Sequence, residues 1–266
     1  MTTNNQFLEK LSSNPADFSL KVALGLVPGF STSAVIMRNP SASNSGFFDI
    51  WGGGGDMILP TSAETWTIES DDAEDTATTG SGAWTVLTQS LAEGHVTQSP
   101  QVTALNGTTP VDIMGTHYRT HQLAATSGAL VLTAGATRSN KGTLTVRDKT
   151  TGDIRMRVLP TVSKSEDGHI AVPAGLTLIV LAILNPWGRD QSGKLADFIT
   201  PGGVDAATIQ SGIFPAYQND LTVFFQAKFV IPEKTDKIFK AKPDNDLAEV
   251  TVVQESYLID NETWGL

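Results

Sequence analysis

No cysteine occurs in the 266 residues. That excludes disulfide staples, thiolate metal sites, iron–sulfur clusters and a Cys nucleophile together. Durability then has to come from packing or assembly. Charge is sparse too, at 17% of residues, and between Arg38 and Arg119 there is no lysine or arginine at all, while Asp49, Asp56, Glu64, Glu69, Asp71, Asp72, Glu74, Asp75, Glu93 and Asp112 fall inside. With a formal net charge of −10, the surface lacks the basic side chains that displace counterions from phosphates, so nucleic acid is not an expected partner. Long apolar runs are likewise missing: Leu176 to Leu184, interrupted by Thr177, reaches about half of the ~20 residues a membrane helix needs. No membrane partner is expected. The opening Met1-Thr2-Thr3-Asn4-Asn5-Gln6 has neither the basic start nor the apolar stretch of a secretory signal and reads as a cytosolic beginning.

What the chain does have is turn and strand chemistry: 24 Gly, 13 Pro and 32 Thr, a composition of sheets rather than helices. Thr65-Trp66-Thr67-Ile68-Glu69 alternates apolar and polar residues with the period of a half-buried strand, and Ala83-Trp84-Thr85-Val86 continues the style. Asn106-Gly107 tolerates positive φ and predicts a tight hairpin between Gln101–Leu105 and Pro110–Ile113. Thr143–Val146 and Ile154–Val158 are expected to pair across 148–153, with Arg155 and Arg157 on a wet face opposite Ile154, Met156 and Val158. After the turn Val172-Pro173-Ala174-Gly175, the run Leu176–Leu184 is so continuously apolar that both faces should be covered. Leu221–Ile231 and Ala248–Ile259 supply later strands. The lysines near the end, Lys228, Lys234, Lys237, Lys240 and Lys242, suggest a less negative region opposite the acidic block. No short-period repeat supports a solenoid or propeller.

The expected architecture is all-β: two antiparallel β-sandwich domains of jelly-roll type, 49–160 and 161–266, preceded by an N-terminal arm, 1–48, containing a short helix. Phe7, Leu8 and Leu11 space like one helical face, and Leu20 to Leu26 form a second apolar stretch before Pro28-Gly29. An arm with apolar side chains but too few for a core of its own should lie on its own domain or on a partner. Phe7, Leu8, Leu11, Leu20 and Val22 are the candidate partner-binding residues.

Reactive constellations are scarce. His117-Tyr118-Arg119-Thr120-His121 has the spacing of a helical zinc motif, but Tyr118 replaces the glutamate base, and along a strand the imidazoles stand about 13 Å apart. Gly188–Leu195 nearly spells a phosphate loop, yet Leu195 occupies the hydroxyl position and no long helix follows. Gly52–Gly55 lacks dinucleotide-fingerprint spacing and reads as close backbone approach. Glu69–Asp75 and Asp244–Asp246 could offer oxygens to Ca²⁺ but lack EF-hand order. His95, His117, His121 and His169 have no legible Ser or Asp partners, and no nucleophile-elbow pentapeptide occurs. Trp51, Trp66, Trp84, Trp187 and Trp264 could form a sugar platform, although Trp66 and Trp84 sit in alternating strands and read as core. No catalytic residue, cofactor or metal site is assigned.

Taken in order, Val27-Pro28-Gly29, Arg38-Asn39-Pro40, Ile50-Trp51 with its glycines, Asp75-Thr76, Gly80-Ser81-Gly82-Ala83, Leu105 to Val111, Val172-Pro173-Ala174-Gly175 and Glu233-Lys234-Thr235-Asp236 resemble a group of tailed-bacteriophage virion structural proteins. The likeness runs over about 25–260, with Leu105-Asn106-Gly107-Thr108-Thr109-Pro110-Val111 its most specific part. Two departures are Ser90-Leu91-Ala92, where the group commonly has Gly-Leu-Asp, and the excursion from Asn185 to Asp205. The resemblance implies a β-rich, non-enzymatic particle component, assembled in the host cytoplasm and located in the virion. Its expected partners are itself, as a homotrimer, and the major capsid protein or another virion component. Head decoration or the base of a short head fibre is the first reading; a tail adaptor or tail-fibre attachment protein is the second, and a host-glycan-binding β-protein the third.

Overall fold

A computed structural model describes residues 15–126, 139–185, 192–201, 209–216, 221–246 and 248–266. Helix α1 (Pro15–Ala23) leads into β1 (Phe30–Ala42), β2 (Phe48–Asp49), β3 (Glu64–Ser70), β4 (Thr85–Ala92), β5 (Val96–Thr97), β6 (Gln101–Ala104), β7 (Val111–His117) and β8 (Arg119–Thr126). Then come β9 (Leu144–Asp148), β10 (Ile154–Val158), β11 (His169–Ala171), β12 (Leu176–Asn185) and β13 (Gly193–Pro201). β14 (Ile209–Ala216), β15 (Leu221–Ile231), β16 (Thr235–Pro243) and β17 (Ala248–Asp260) complete the strands before a helical turn, Asn261–Trp264.

The protein is all-β with antiparallel pairing, as its composition predicts. Among the described residues the strands form four sheets: β1-β17-β12-β15; β10-β9-β3-β7; β11-β16-β13-β14 with β2 beside β16; and β5-β4-β6 with β8 on the other side of β4. One apolar cluster gathers Trp66, Ile68, Val86, Ile113, Leu123, Val146, Met156 and Val158 from the second and fourth sheets. Another gathers Met37, Ile50, Leu178, Val180, Leu195, Phe239, Val250 and Val252 from the first and third.

Strand β12 accounts for the unbroken apolar run. Leu178 and Val180 enter the large cluster, while Ile179, on the opposite face, joins Phe18, Val22, Phe30, Tyr257, Ile259 and Trp264. Helix α1 thus covers the second face of its sheet. The helix ends because Gly25 (φ 69°) takes the left-handed position that L side chains avoid, and its N–H donates to the Val22 carbonyl at 2.9 Å. Aromatic edges lock the seat: Phe30 meets Trp264 edge-on at 5.1 Å between centroids, and Phe18 meets Phe30 at 5.4 Å.

The segment expected as an arm is therefore more than an appendage in its described part. β1 pairs along its length with β17, Phe30 opposite Ile259 and Asn39 opposite Val250. Nor do the strands flanking Asn106-Gly107 pair with each other: β6 joins β4 and β7 joins β3, in different sheets. The Gly107 backbone instead bonds outward, its N–H to the Asp75 carbonyl and its carbonyl to the Ser70 N–H. β9 and β10 do pair as expected, but with a bulge between Ile154 and Met156. The bulge rolls Arg155 inward, where Glu64 and the Ile58 carbonyl take its guanidinium, so only Arg157 keeps the wet face.

Candidate functional site

The deepest concentration of charge is a quartet at the junction of the two apolar clusters' sheets. Asp236, in β16, is 1% exposed; Arg119, in β8, is wholly buried. Arg119 Nε donates to both carboxylate oxygens at 3.0 and 2.9 Å, and its Nη1 donates to the carbonyls of Pro60 and Tyr118. His169 Nε2 lies 2.9 Å from Asp236 Oδ1, and His95 Nε2 lies 3.3 Å from the same oxygen. With an anion as common acceptor, both imidazoles carry their proton on Nε2. Burial alone would raise the Asp236 carboxyl; the His169 and His95 hydrogen bonds and the guanidinium overcome it and hold the group well below the carboxylate range.

Local structure is spent on this arrangement. His95 adopts φ 61°, a left-handed value costing a β-unbranched side chain about 1–2 kcal/mol. It is held there because its carbonyl accepts the Ala174 N–H at 2.9 Å while its ring reaches Asp236 and meets Tyr118 edge-on. The next residue, Lys237, is also fully buried: its ammonium pairs with Asp197 at 2.8 Å and lies 3.3 Å from the Phe239 ring centroid. Burial pushes Lys237 down to about 8 despite the attraction of Asp197. Lys237 is thus withdrawn from the less negative region that the late lysines suggested, because β16 turns it toward the interior.

A second buried carboxylate, Asp75, is satisfied differently. Its oxygens accept the backbone N–H groups of Ala83, Lys141 and Gly142 and the Ser70 hydroxyl, at 2.6 to 2.9 Å. These bonds brace the loop after β3, so the central member of the acidic cluster is not an open cation ligand. In Asp244–Asp246, Asp244 accepts from the Ser192 hydroxyl and Asp246 from the Asn44 N–H. Among the described residues no group of three or more His, Cys, Asp or Glu is placed to hold a metal ion.

His117, the first imidazole of the zinc-like spacing, is buried. It stacks on Trp66 at 4.5 Å, its Nδ1 lies 2.8 Å from Ser90 Oγ, and burial lowers its pKa. His121 opens instead onto a groove of about 250 Å³ between β1 and β8 that also touches Lys164 and Asp167. Burial, with the charge of neighbouring Glu166, pushes Asp167 up to about 8.

Of the candidate partner-binding residues, Phe7, Leu8 and Leu11 lie outside the described residues. Val22 is taken into the chain's own core beside Phe18, so it has no surface to offer. Leu20 faces outward at 58% exposure, joined by Leu24 and Leu26 just beyond the helix. Of the tryptophans considered for a sugar platform, Trp187 lies outside the described residues, and Trp264 is buried with its Nε1 donating to the Pro28 carbonyl. Lys194 and Leu195, the end of the near-phosphate loop, stand in strand β13 rather than at a helix start. Gly53 does show close approach: a Cβ there would collide with the Trp51 indole. The quartet itself was not legible beforehand, since its members are scattered over 95–236; the one signal was charge inside the alternation of Thr235-Asp236-Lys237-Ile238-Phe239.

No protein-family pattern matches the chain, and no curated protein does. Among solved structures, the chain is similar to one described as infectious bursal disease virus Gt strain, at 11% identity over 88% of this chain and 75% of that one, with a TM-score of 0.21. A structure of the Gx strain shows 11% identity over 89% and 83%, with a TM-score of 0.13. Likeness at that level carries no argument about fold or function.

Proposed function

We propose that this chain is a non-enzymatic structural protein of a tailed-phage virion, decorating the head or forming the base of a short head fibre through self-association and contact with a capsid protein. The four sheets, in this reading, pack as two sandwiches, one per large apolar cluster. The reading draws on the sequence resemblance, and one structural observation supports it most: Leu20, Leu24 and Leu26 stand exposed on a segment whose other face, through Phe18 and Val22, is fastened to the sheet. An apolar row held rigidly against solvent is the kind of surface that assembly covers. The buried quartet fits the same reading, because its polar groups are spent on one another rather than presented to a substrate.

The test separates attachment from folding. Truncating the segment would remove Phe18 and Val22 from the core, so Leu20→Glu, Leu24→Glu and Leu26→Glu are combined instead. The expected result is an unchanged thermal midpoint with loss of self-association and of incorporation into particles; normal incorporation rejects the proposal. Copy number per particle distinguishes stations, since a ratio near that of the major capsid protein means head decoration and a much smaller one means the tail.

A further inference from the structure

We infer that the outer face of the β10-β9-β3-β7 sheet holds a binding site for a carboxylated sugar, with Arg157 as the carboxylate receptor. Register places Glu69, Thr145 and Arg157 on one rung across β3, β9 and β10. The short Thr145 side chain stands between two long ones and leaves a hollow of about 400 Å³, lined also by Asp71, Thr143 and Arg147. That size suits a small polar ligand.

The hollow's charges are unevenly matched. Glu69 takes Arg147 at 3.0 Å, and Asp71 Oδ1 accepts the Thr143 N–H at 2.7 Å. Among the described residues the Arg157 side chain has no hydrogen bond or ion pair, and its Nε is shut off from water with no acceptor. That buried Nε has lost its hydration and gained no acceptor, a deficit that an arriving carboxylate removes. The planar fork suits a carboxylate in two-point contact, which an ammonium would not.

The rest of the hollow points to hydroxyls on the same ligand. Thr108, Thr143 and Thr145 present hydroxyl groups, and Asp71 stands about 12 Å from Arg157 by strand spacing and rise, at the opposite corner. A carboxylate at the Arg157 corner therefore keeps away from Asp71, while sugar hydroxyls donate toward it. Nothing on this face belongs to the assembly surface around Leu20, so the site stands or falls separately from the virion reading.

The probe is glucuronate, titrated against the full chain and followed by NMR shifts or calorimetry, with glucose and acetate as controls. Glucuronate should saturate, glucose and acetate should each bind at least tenfold more weakly, and Arg157→Gln should cost at least tenfold with the circular dichroism spectrum unchanged. Arg157→Lys should recover only part of the loss, and Thr108→Ala, in an exposed loop, should weaken binding about two- to threefold. No saturation with glucuronate, equal binding by glucose, equal binding by acetate, or an Arg157→Gln variant that binds normally would each overturn the inference.

Discussion

Two buried carboxylates, Asp75 and Asp236, solve one physical problem in opposite ways. Asp75 is met by three backbone N–H groups and one hydroxyl, all within the sheets around Trp66 and Val86. Asp236 is met by a guanidinium and two imidazoles, and two of those three, Arg119 and His95, come from the other half of the fold. Neutral backbone donors come from chain that must already be folded in place, so Asp75 braces a loop. Charged side chains reach across a boundary, so Asp236 ties two packed regions together. The lesson is that donor type reports what a buried anion holds: local chain or a junction.

The largest expected effect is on the tie. Arg119→Met removes the only permanent positive charge on Asp236 and strips donors from the Pro60 and Tyr118 carbonyls, so urea denaturation should show a loss of about 3–5 kcal/mol. A loss under about 1 kcal/mol would mean that the imidazoles suffice and would erase the contrast. Asp75→Asn comes next, at about 2–3 kcal/mol, because the new amide opposes N–H groups that need an acceptor. Hydrogen exchange should quicken around 72–83 and 139–142 while leaving 235–239 protected; quickening in both places would break the distinction between brace and tie.

Acid sharpens the same comparison. The Asp236 carboxyl is held below its unfolded value, so its contribution is present above about pH 4 and is lost as pH falls below that. That acid loss should shrink in Arg119→Met. Two opposite slopes lie on either side of neutrality. Asp167 is pushed up to about 8, so the folded form keeps a proton that the unfolded chain releases near pH 4, and stability falls between about pH 4 and 8. Asp167→Asn should flatten that slope and be the more stable protein at pH 8. Lys237 is pushed down to about 8, so stability rises between about pH 8 and 10.5, and Lys237→Met should remove the rise. Thermal midpoints across pH measure both; slopes unchanged by the substitutions would reject these assignments.

Much of the β character was legible because alternation is local: Trp66 and Ile68 do share a buried face, and the run through Leu178, Ile179 and Val180 is covered on both sides. Where reading failed, a non-local force had intervened. Asn106-Gly107 has hairpin chemistry, but the flanking strands gain more by pairing with β4 and β3 than with each other. Arg155 follows strict alternation in sequence, and one extra residue at the bulge reverses its direction. Among the five candidate partner-binding residues, Leu20 and Val22 lie two positions apart on a helix and so point to different sides, one outward and one into the core. The hollow beside Arg157 depends on which residues meet across three strands, which no single stretch of sequence records.

The pairing of β1 with β17 has a consequence for biosynthesis. Phe30 leaves the ribosome more than two hundred residues ahead of its partner Ile259. Along most of its length β1 must wait without its neighbour while roughly two hundred residues are translated, so the first sheet closes only once β17 has emerged. Nascent chains stalled before Ala248 should accordingly leave a sticky ribbon for chaperones to hold, and the rate of maturation should follow the emergence of β17 rather than the folding of the strands between it and β1.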